Sequence, residues 1–437
     1  MRRTALVALL VLSPGARVFA ADRADRADAA PLAQAADGAT LRFDGYMTLV
    51  LRNNLDLVAQ RFNVPVAEAQ IAVAKIFPDP TLTAGLASYD LQRNGAPTAT
   101  TVGVSETVEL GGKRGARVAT AEAGRAGARA DLEDFLRTLR ANAAGAFIDA
   151  LHARLVLERK QLTLASLQKL VHANEERRRA GDIGEVPVMQ SRVEASRFRG
   201  EVADAAADVR NSDIGLALQM GRAGAASFVL VGELGGPTRT FDVDKLIEQA
   251  RTQRPDVVSK KQALAANKSR VSLARANRWI DLTLNLDLVH STAVDEPNSF
   301  GDIPAYNTLG ATLSLPLPLS HVYRGELDAA LAGESQADWS LRSAELKAET
   351  DVRQAFEKYD ASVDRVNIYA GGVLTDADKV LDGTLYSYQR GAATLLEVLE
   401  AQRTDNEVHL AYFDALSDCA HALVALEQAA GVWDVQF

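Results

Sequence analysis

The stretch from Lys113 to about Arg179 contains no proline and carries Leu132, Leu136, Leu139, Ala143, Phe147, Leu151 and Leu155. Steps of three and four set these side chains on one helical face. The design occurs twice. A second proline-free stretch, His321 to about Arg390, has Val352, Phe356, Tyr359, Val363, Val366 and Ala370 at comparable spacing. Read as continuous helices of roughly 65–70 residues, each spans about 100 Å at about 1.5 Å per residue. Helices in compact domains average about 11–12 residues, so the pattern excludes an ordinary globular core.

The two stretches belong to an internal duplication. Asn54-Leu55-Asp56-Leu57 aligns with Arg254-Pro255-Asp256-Val257, and Leu82-Thr83 with Leu282-Thr283, at an offset of 200. Arg114-Gly115 then matches Arg324-Gly325, Gly181 matches Gly391, Val188-Met189 matches Val398-Leu399, and Gly221 matches Gly431, all at an offset of 210. One insertion between the matched blocks reconciles the whole alignment. The units are 41–221 and 241–431, with a connector at 222–240 and a tail at 432–437.

Each unit repeats one layout. A first helix (Tyr46 to Phe77; Val243 to Arg278) leads into alternating segments at Thr81 to Leu91 and Asp281 to Ser291. In the latter, Leu282, Leu284, Leu286 and Leu288 alternate with Thr283, Asn285 and Asp287, the period of a strand with one apolar and one polar face. Partner strands are expected at Thr101 to Leu110 and Asn307 to Leu317, across turn-rich loops at Asn94-Gly95-Ala96-Pro97 and Asp295-Glu296-Pro297-Asn298. Pro316 and Pro318 end the second pair. Each long helix then reaches a turn at Gly181 or Gly391, and a further helix returns over Val186 to Met220 or Leu395 to Ala430. Ser227 to Pro237 reads as a short strand and turn lying outside the main architecture.

The N-terminus reads as a signal peptide over 1–20: basic Arg2 and Arg3, a short apolar run Thr4 to Leu12, and small residues at Val18-Phe19-Ala20. Residues 21–40 read as a flexible lead-in rich in Ala, Asp and Arg. No cysteine lies near the cleavage site to carry a lipid, and the single cysteine, Cys419, excludes an intramolecular disulfide. No segment has the run of about 18 apolar residues that a membrane-spanning helix needs. A net charge of −9 argues against a nucleic-acid partner. An exported chain is thus left to the periplasm, the medium or an outer-membrane β-barrel.

The four strands have the roughly 9–11 residues of a tilted membrane-crossing strand. Four cannot close a barrel, and an open sheet edge in lipid leaves backbone groups unpaired. Barrel closure therefore requires several chains, and three would supply twelve strands with threefold symmetry. Phe77, Tyr89, Trp279, Phe300 and Tyr306 fall near strand ends, where an interfacial aromatic girdle would lie. The competing reading is a soluble pair of hairpins capping a coiled coil, as in a periplasmic adaptor or scaffold. That class usually has one helical hairpin beside a compact β domain, whereas this chain has two equivalent hairpins.

Five features together resemble the outer-membrane efflux protein (TolC) family. They are the duplication, Asn53-Asn54-Leu55-Asp56-Leu57, Pro78-Asp79-Pro80 before the first strand, Glu109-Leu110-Gly111-Gly112-Lys113-Arg114, and Tyr388-x-x-Gly391 followed by Val398-Leu399-x-Ala401. The Glu-Leu-Gly-Gly-Lys-Arg run looks most like the CzcC-like heavy-metal branch. The resemblance implies a mainly α fold with long helical hairpins forming an α-barrel, and four strands per chain contributing to a trimeric twelve-stranded barrel in outer-membrane lipid. It implies a passive exit duct, without catalysis or cofactor. The expected partners are a periplasmic adaptor and an inner-membrane RND transporter, and the expected cargo is heavy-metal cations. A multidrug or type I secretion duct is the alternative within the family.

The resemblance also puts the turn at Gly391, with Gly181 and Tyr388, at the periplasmic tip, where carboxylates line the aperture. Glu397 and Glu400, three apart on one helical face, would give a trimer six acids that favour cations, and their crowding would make gating respond to pH. The first unit has Pro187 and Gln190 at these places, Arg178 at the place of Tyr388, and Ala393 departs from the basic residue frequent in the family. Gly111-Gly112-Lys113 is part of a phosphate-loop pattern, but Thr107 and Arg114 break it. It reads instead as a strand-to-helix turn, with Lys113 and Arg114 at the membrane-proximal end. The six histidines are scattered, and Cys419, His421 and His409 lack metal-ligand spacing.

Overall fold

The computed structural model describes residues 39–88, 98–224, 227–234, 239–293, 304–317 and 323–434. The signal-peptide segment, both strand-joining loops, Tyr89, Phe300 and Pro318 lie outside the described residues. Strand β1 (Ala39–Arg42) opens the fold, followed by α1 (Phe43–Asn53), α2 (Leu55–Arg61) and α3 (Asn63–Ala74). Strands β2 (Thr81–Ser88) and β3 (Thr98–Val108) lead into α4 (Lys113–Ala180), which returns as α5 (Glu185–Gln219). After β4 (Phe228–Val231), the second unit runs α6 (Val243–Gln253), α7 (Pro255–Ala276), β5 (Leu282–Ser291), β6 (Tyr306–Ser314), α8 (Arg324–Ile368), α9 (Leu374–Gln389) and α10 (Leu395–Ala430).

Helix α4 is continuous over 68 residues, about 100 Å at the α-helical rise. Its expected stripe is the one that packs: Leu139, Ala143, Phe147 and Leu151 are buried, and Leu132, Leu136 and Leu155 lie against the same core. The second long helix differs from expectation. Between α8 and α9 the chain passes through a π-helical turn, Tyr369–Val373, in which Gly372 takes φ 147°. The adjacent glycines Gly371 and Gly372 lack the side chains that hold a helix, and such pairs are where helices kink. The stripe fades accordingly, with Val352 and Tyr359 buried and Ala370 exposed. The first helix of each unit is also divided at a repeat-equivalent place, Asn54 in one and Arg254 in the other, and that of the first unit is divided once more at Phe62.

These two breaks display the duplication in atomic contacts. Asn54 caps α2, its Oδ1 accepting from the Leu57 amide at 3.0 Å, and its Nδ2 donates to the Gln219 carbonyl at 3.1 Å. Arg254, only 1% exposed, donates to the Ala429 carbonyl at 3.2 Å and to Asp256 and Asp351. Gln219 and Ala429 are equivalent residues at the offset of 210. The same backbone carbonyl is thus held by an amide in one unit and a guanidinium in the other.

The main core gathers Phe43, Tyr46, Val50 and Leu57 around Phe147, with Leu216 of α5 and Met220 just past its end. Tyr46 stacks on Phe147 at 5.6 Å between ring centres. β1 pairs in parallel with β4, and Phe228 and Leu234 enter this core. The segment expected to lie outside the architecture therefore joins it, and β1 starts two residues inside the expected lead-in, because backbone groups entering a core need partners. A second core unites Ile247, Ala250 and Val257 with Val352, Tyr359 and Leu426.

The four expected strands form one antiparallel sheet, in the order β2-β3-β5-β6. Register brings Leu82 opposite Val104, Val104 opposite Leu286, and Leu286 opposite Ala311. Val102, Leu288 and Leu309 form the next row. Leu82, Leu86, Leu309 and Leu313 are 54–77% exposed, so the apolar face has no cover among the described residues. Thr83, Gly103, Asp287 and Gly310 lie on the opposite, polar face. The outer edges of β2 and β6 have no partner strand among the described residues.

Candidate functional site

Two places carry the residues singled out in the sequence: the strand-to-helix turn below the sheet and the tips of the helical hairpins. At the first, Gly111 and Gly112 both adopt left-handed backbone, with φ of 73° and 77°. A side chain on Gly111 would also collide with the Trp279 ring, 2.7 Å from the position of its Cβ. Lys113, buried at the start of α4, binds Asp281 Oδ1 at 2.7 Å, and the Leu110 amide donates to the same oxygen at 3.1 Å. Arg114 lies 4.2 Å over the Phe77 ring and donates to the Lys75 carbonyl at 2.8 Å. Arg117 forks onto both oxygens of Glu109, and its hydrogen bonds hold that carboxyl below the usual carboxylate range. The run is therefore a clamp. It ties the first unit's helix to the start of the second unit's strand, and no phosphate cradle is formed. Phe77, Trp279 and Tyr306 are 50–64% exposed around this sheet, as an interfacial girdle requires.

At the tips, Gly181 and Gly391 close α4 and α9 in left-handed backbone at φ 87° and 78°. The Asp182 amide donates to the Arg177 carbonyl and the Ala392 amide to the Ser387 carbonyl, each at 2.9 Å. These are equivalent bonds, and they satisfy carbonyls that a helix end would leave open. Tyr388 is buried, and its hydroxyl donates to Asn174 Oδ1 on α4 at 2.7 Å. Arg177 lies over the Tyr388 ring at 5.0 Å and donates to its carbonyl. The tyrosine thus fastens the second tip to the first within one chain. Asn174 and Arg177 had no distinguishing signal in the sequence, because only the packing of the two hairpins makes them neighbours.

Glu397 and Glu400 share a face of α10 but serve differently. Glu397 completes a capping box: Oε2 accepts from the Thr394 amide at 2.6 Å, while the Glu397 amide donates to Thr394 Oγ1 at 3.3 Å. The Thr394 hydrogen bonds hold its carboxyl below the usual range. Glu400 is exposed, with Arg403 at 3.9 Å.

A third group comes together farther up the second hairpin. Asp378 of α9 and Asp405 and His409 of α10 bring one ligand atom each to within 4.8 Å of one another. Asp405 and His409 are four apart, a spacing visible in the sequence. Asp378 is 31 residues before His409 on another helix, so only the fold adds it. Among the described residues Cys419 and His421 join no such group; His421 instead bonds Asp149 at 2.8 Å.

A sequence model of the family described as outer membrane efflux protein matches residues 47–222 and 246–432. The chain is 24% identical to the cobalt-zinc-cadmium resistance protein CzcC of Cupriavidus metallidurans, covering 99% of this chain and all of that one. It is 28% identical to the pyoverdine export outer membrane protein OpmQ of Pseudomonas aeruginosa, over 83% of this chain and 79% of the relative. The fold superposes on the solved structure of CusC with a TM-score of 0.74 at 17% identity, covering 91% of this chain and 94% of the other.

Proposed function

Because the chain belongs to the outer membrane efflux protein family, we propose that three copies form the exit duct of a tripartite pump, joined to an RND-type transporter through a periplasmic adaptor. The chain is an outer-membrane efflux channel subunit that extends into the periplasm, a passive conduit and not an enzyme. The observation that carries the proposal is the four-stranded sheet, whose apolar face is uncovered and whose two edges are unpartnered among the described residues, standing above two long hairpins. Lipid covers such a face, and only closure removes such edges. Three sheets joined β6 to β2 give twelve strands, an even number as outer-membrane barrels have. The mass of the detergent-extracted particle tests this. Three chains per particle are expected, and a water-soluble monomer would overturn the reading.

Heavy-metal cations are the cargo we favour, supported by full-length similarity to a cobalt-zinc-cadmium resistance protein. Similarity to a pyoverdine exporter supports a second reading, export of an organic molecule. Growth of a deletion strain on zinc, cobalt, cadmium, copper and lipophilic drugs separates them: sensitivity to metals alone is expected, and sensitivity to drugs alone would leave the duct but remove the metal assignment. Within the duct, Glu400 is assigned to the aperture at the periplasmic tip, with Glu397 chiefly shaping the turn that presents it.

A further inference from the structure

We propose that Asp378, Asp405 and His409 form a binding site for one first-row divalent transition cation, such as zinc or cobalt, clamping α9 to α10. The ligand atoms are two carboxylate oxygens and an imidazole nitrogen. His409 Nε2 lies 3.0 Å from Asp378 Oδ1 and 3.7 Å from Asp405 Oδ1. Around a tetrahedral zinc, with bonds of about 2.0–2.2 Å, ligand atoms sit roughly 3.3–3.6 Å apart. The cluster needs only small movements to meet that geometry.

An ordinary ion pair explains part of the group and leaves part over. Asp378 and His409 satisfy each other, and Arg159 of α4 takes Asp405 Oδ2. Asp405 Oδ1 has no hydrogen-bond partner among the described residues, although the Asp405 side chain is only 2% exposed. A buried carboxylate oxygen left unpaired is costly, and this one faces the imidazole from beyond hydrogen-bond distance. A cation between the three atoms satisfies it. Two carboxylates against the single guanidinium of Arg159 leave one net negative charge for that cation. Arg159 then orients Asp405 from behind, as hydrogen bonds around metal ligands do. Asp378 is 57% exposed on its side chain, leaving an approach and an open coordination position for water. Oxygen and imidazole ligands without sulfur suit zinc or cobalt better than monovalent copper.

The duplication adds an independent argument. At the offset of 210, the first unit has Gln168, Ala195 and Arg199 at these places. The triad thus arose in one unit only, on the hairpin interrupted by the π turn at Tyr369–Val373. Common ancestry of the two hairpins does not account for it. The site stands whatever the duct exports, since it is read on the isolated protein.

The test is titration of the detergent-solubilised, chelator-stripped full chain with Co²⁺, followed by its d–d absorption, and with Zn²⁺ by calorimetry. Saturation at one ion per chain is expected. Asp378→Asn, a change at an exposed side chain, and His409→Gln should each weaken binding at least about tenfold, the lower end of losses seen even for outer-shell partners. Circular dichroism and particle mass establish that the variants are folded. Absence of saturable one-per-chain binding would overturn the site, as would variants that bind like the parent. Metal sensitivity of a deletion strain is a separate outcome: a duct that exports metals without this site, or holds this site while exporting other cargo, would be recognised as such.

Discussion

At the scale of residues, the interior of the helical body contains charges whose settings are specific. Glu427 is 3% exposed, accepts from the Asp434 amide at 3.1 Å and has Arg239 at 3.5 Å. Burial, opposed only weakly by that distant guanidinium, pushes its carboxyl to about 8. The hydrogen bond with Glu427, followed by that with Arg239, holds Asp434 below the usual range. For Glu427 the sign follows directly. The folded chain keeps a proton that the unfolded chain releases in the ordinary carboxylate range, so this group's contribution to stability falls as pH rises from there to about 8. Glu427→Gln should reduce the loss of thermal stability between about pH 5.5 and about pH 8.5. An undiminished loss in the variant, by thermal unfolding in detergent, would refute the assignment.

At the scale of elements, the tip of the second hairpin separates two acids that look alike in the sequence. A capping box satisfies backbone donors that the start of a helix leaves open, and Glu397 is committed to one through Thr394. Glutamine can keep the accepting oxygen of that box. Glu400 has no such role and projects, 68% exposed on its side chain, beyond a loose contact with Arg403. Glu400→Gln should therefore lower the cation selectivity of single channels more than Glu397→Gln does, read as the shift in reversal potential under a salt gradient. Equal shifts, or none from Glu400, would remove it from the aperture. Thr394 holds the Glu397 carboxyl below the usual carboxylate range.

At the scale of the whole molecule, the sheet decides where the protein resides. Leu286 is central in the apolar face, between Val104 and Ala311, whereas its neighbour Asn285 points to the polar side. Arginine on a lipid-facing strand near mid-bilayer costs about 2–4 kcal/mol, while lumen positions tolerate charge. Leu286→Arg should thus destabilise the folded protein in vesicles by about that amount and Asn285→Arg by much less, measured by denaturant unfolding. Equal costs at the two positions would mean that the faces are misassigned. The helical body is less uniform than the duplication suggests. The units share a held carbonyl at Gln219 and Ala429, yet only the second interrupts its long helix and gathers Asp378, Asp405 and His409.

What the sequence determined alone was whatever depends on period and punctuation. The stripe from Leu132 to Leu155, the alternation from Leu282 to Leu288 and the turns at Gly181 and Gly391 are local patterns, and local backbone geometry is enough to place them. The second long stretch breaks at Gly371-Gly372 although it contains no proline, so freedom from proline alone does not make a helix continuous. Tertiary structure decided the rest, because it concerns residues distant in the chain. Only hairpin packing sets Tyr388 on Asn174 and Arg159 on Asp405, and only strand order brings β3 against β5. Only the need to pair backbone entering the core draws Ala39–Arg42 and Phe228–Val231 into one ladder. A helical face can be read from spacing, but which other face it meets is settled by burial of both together.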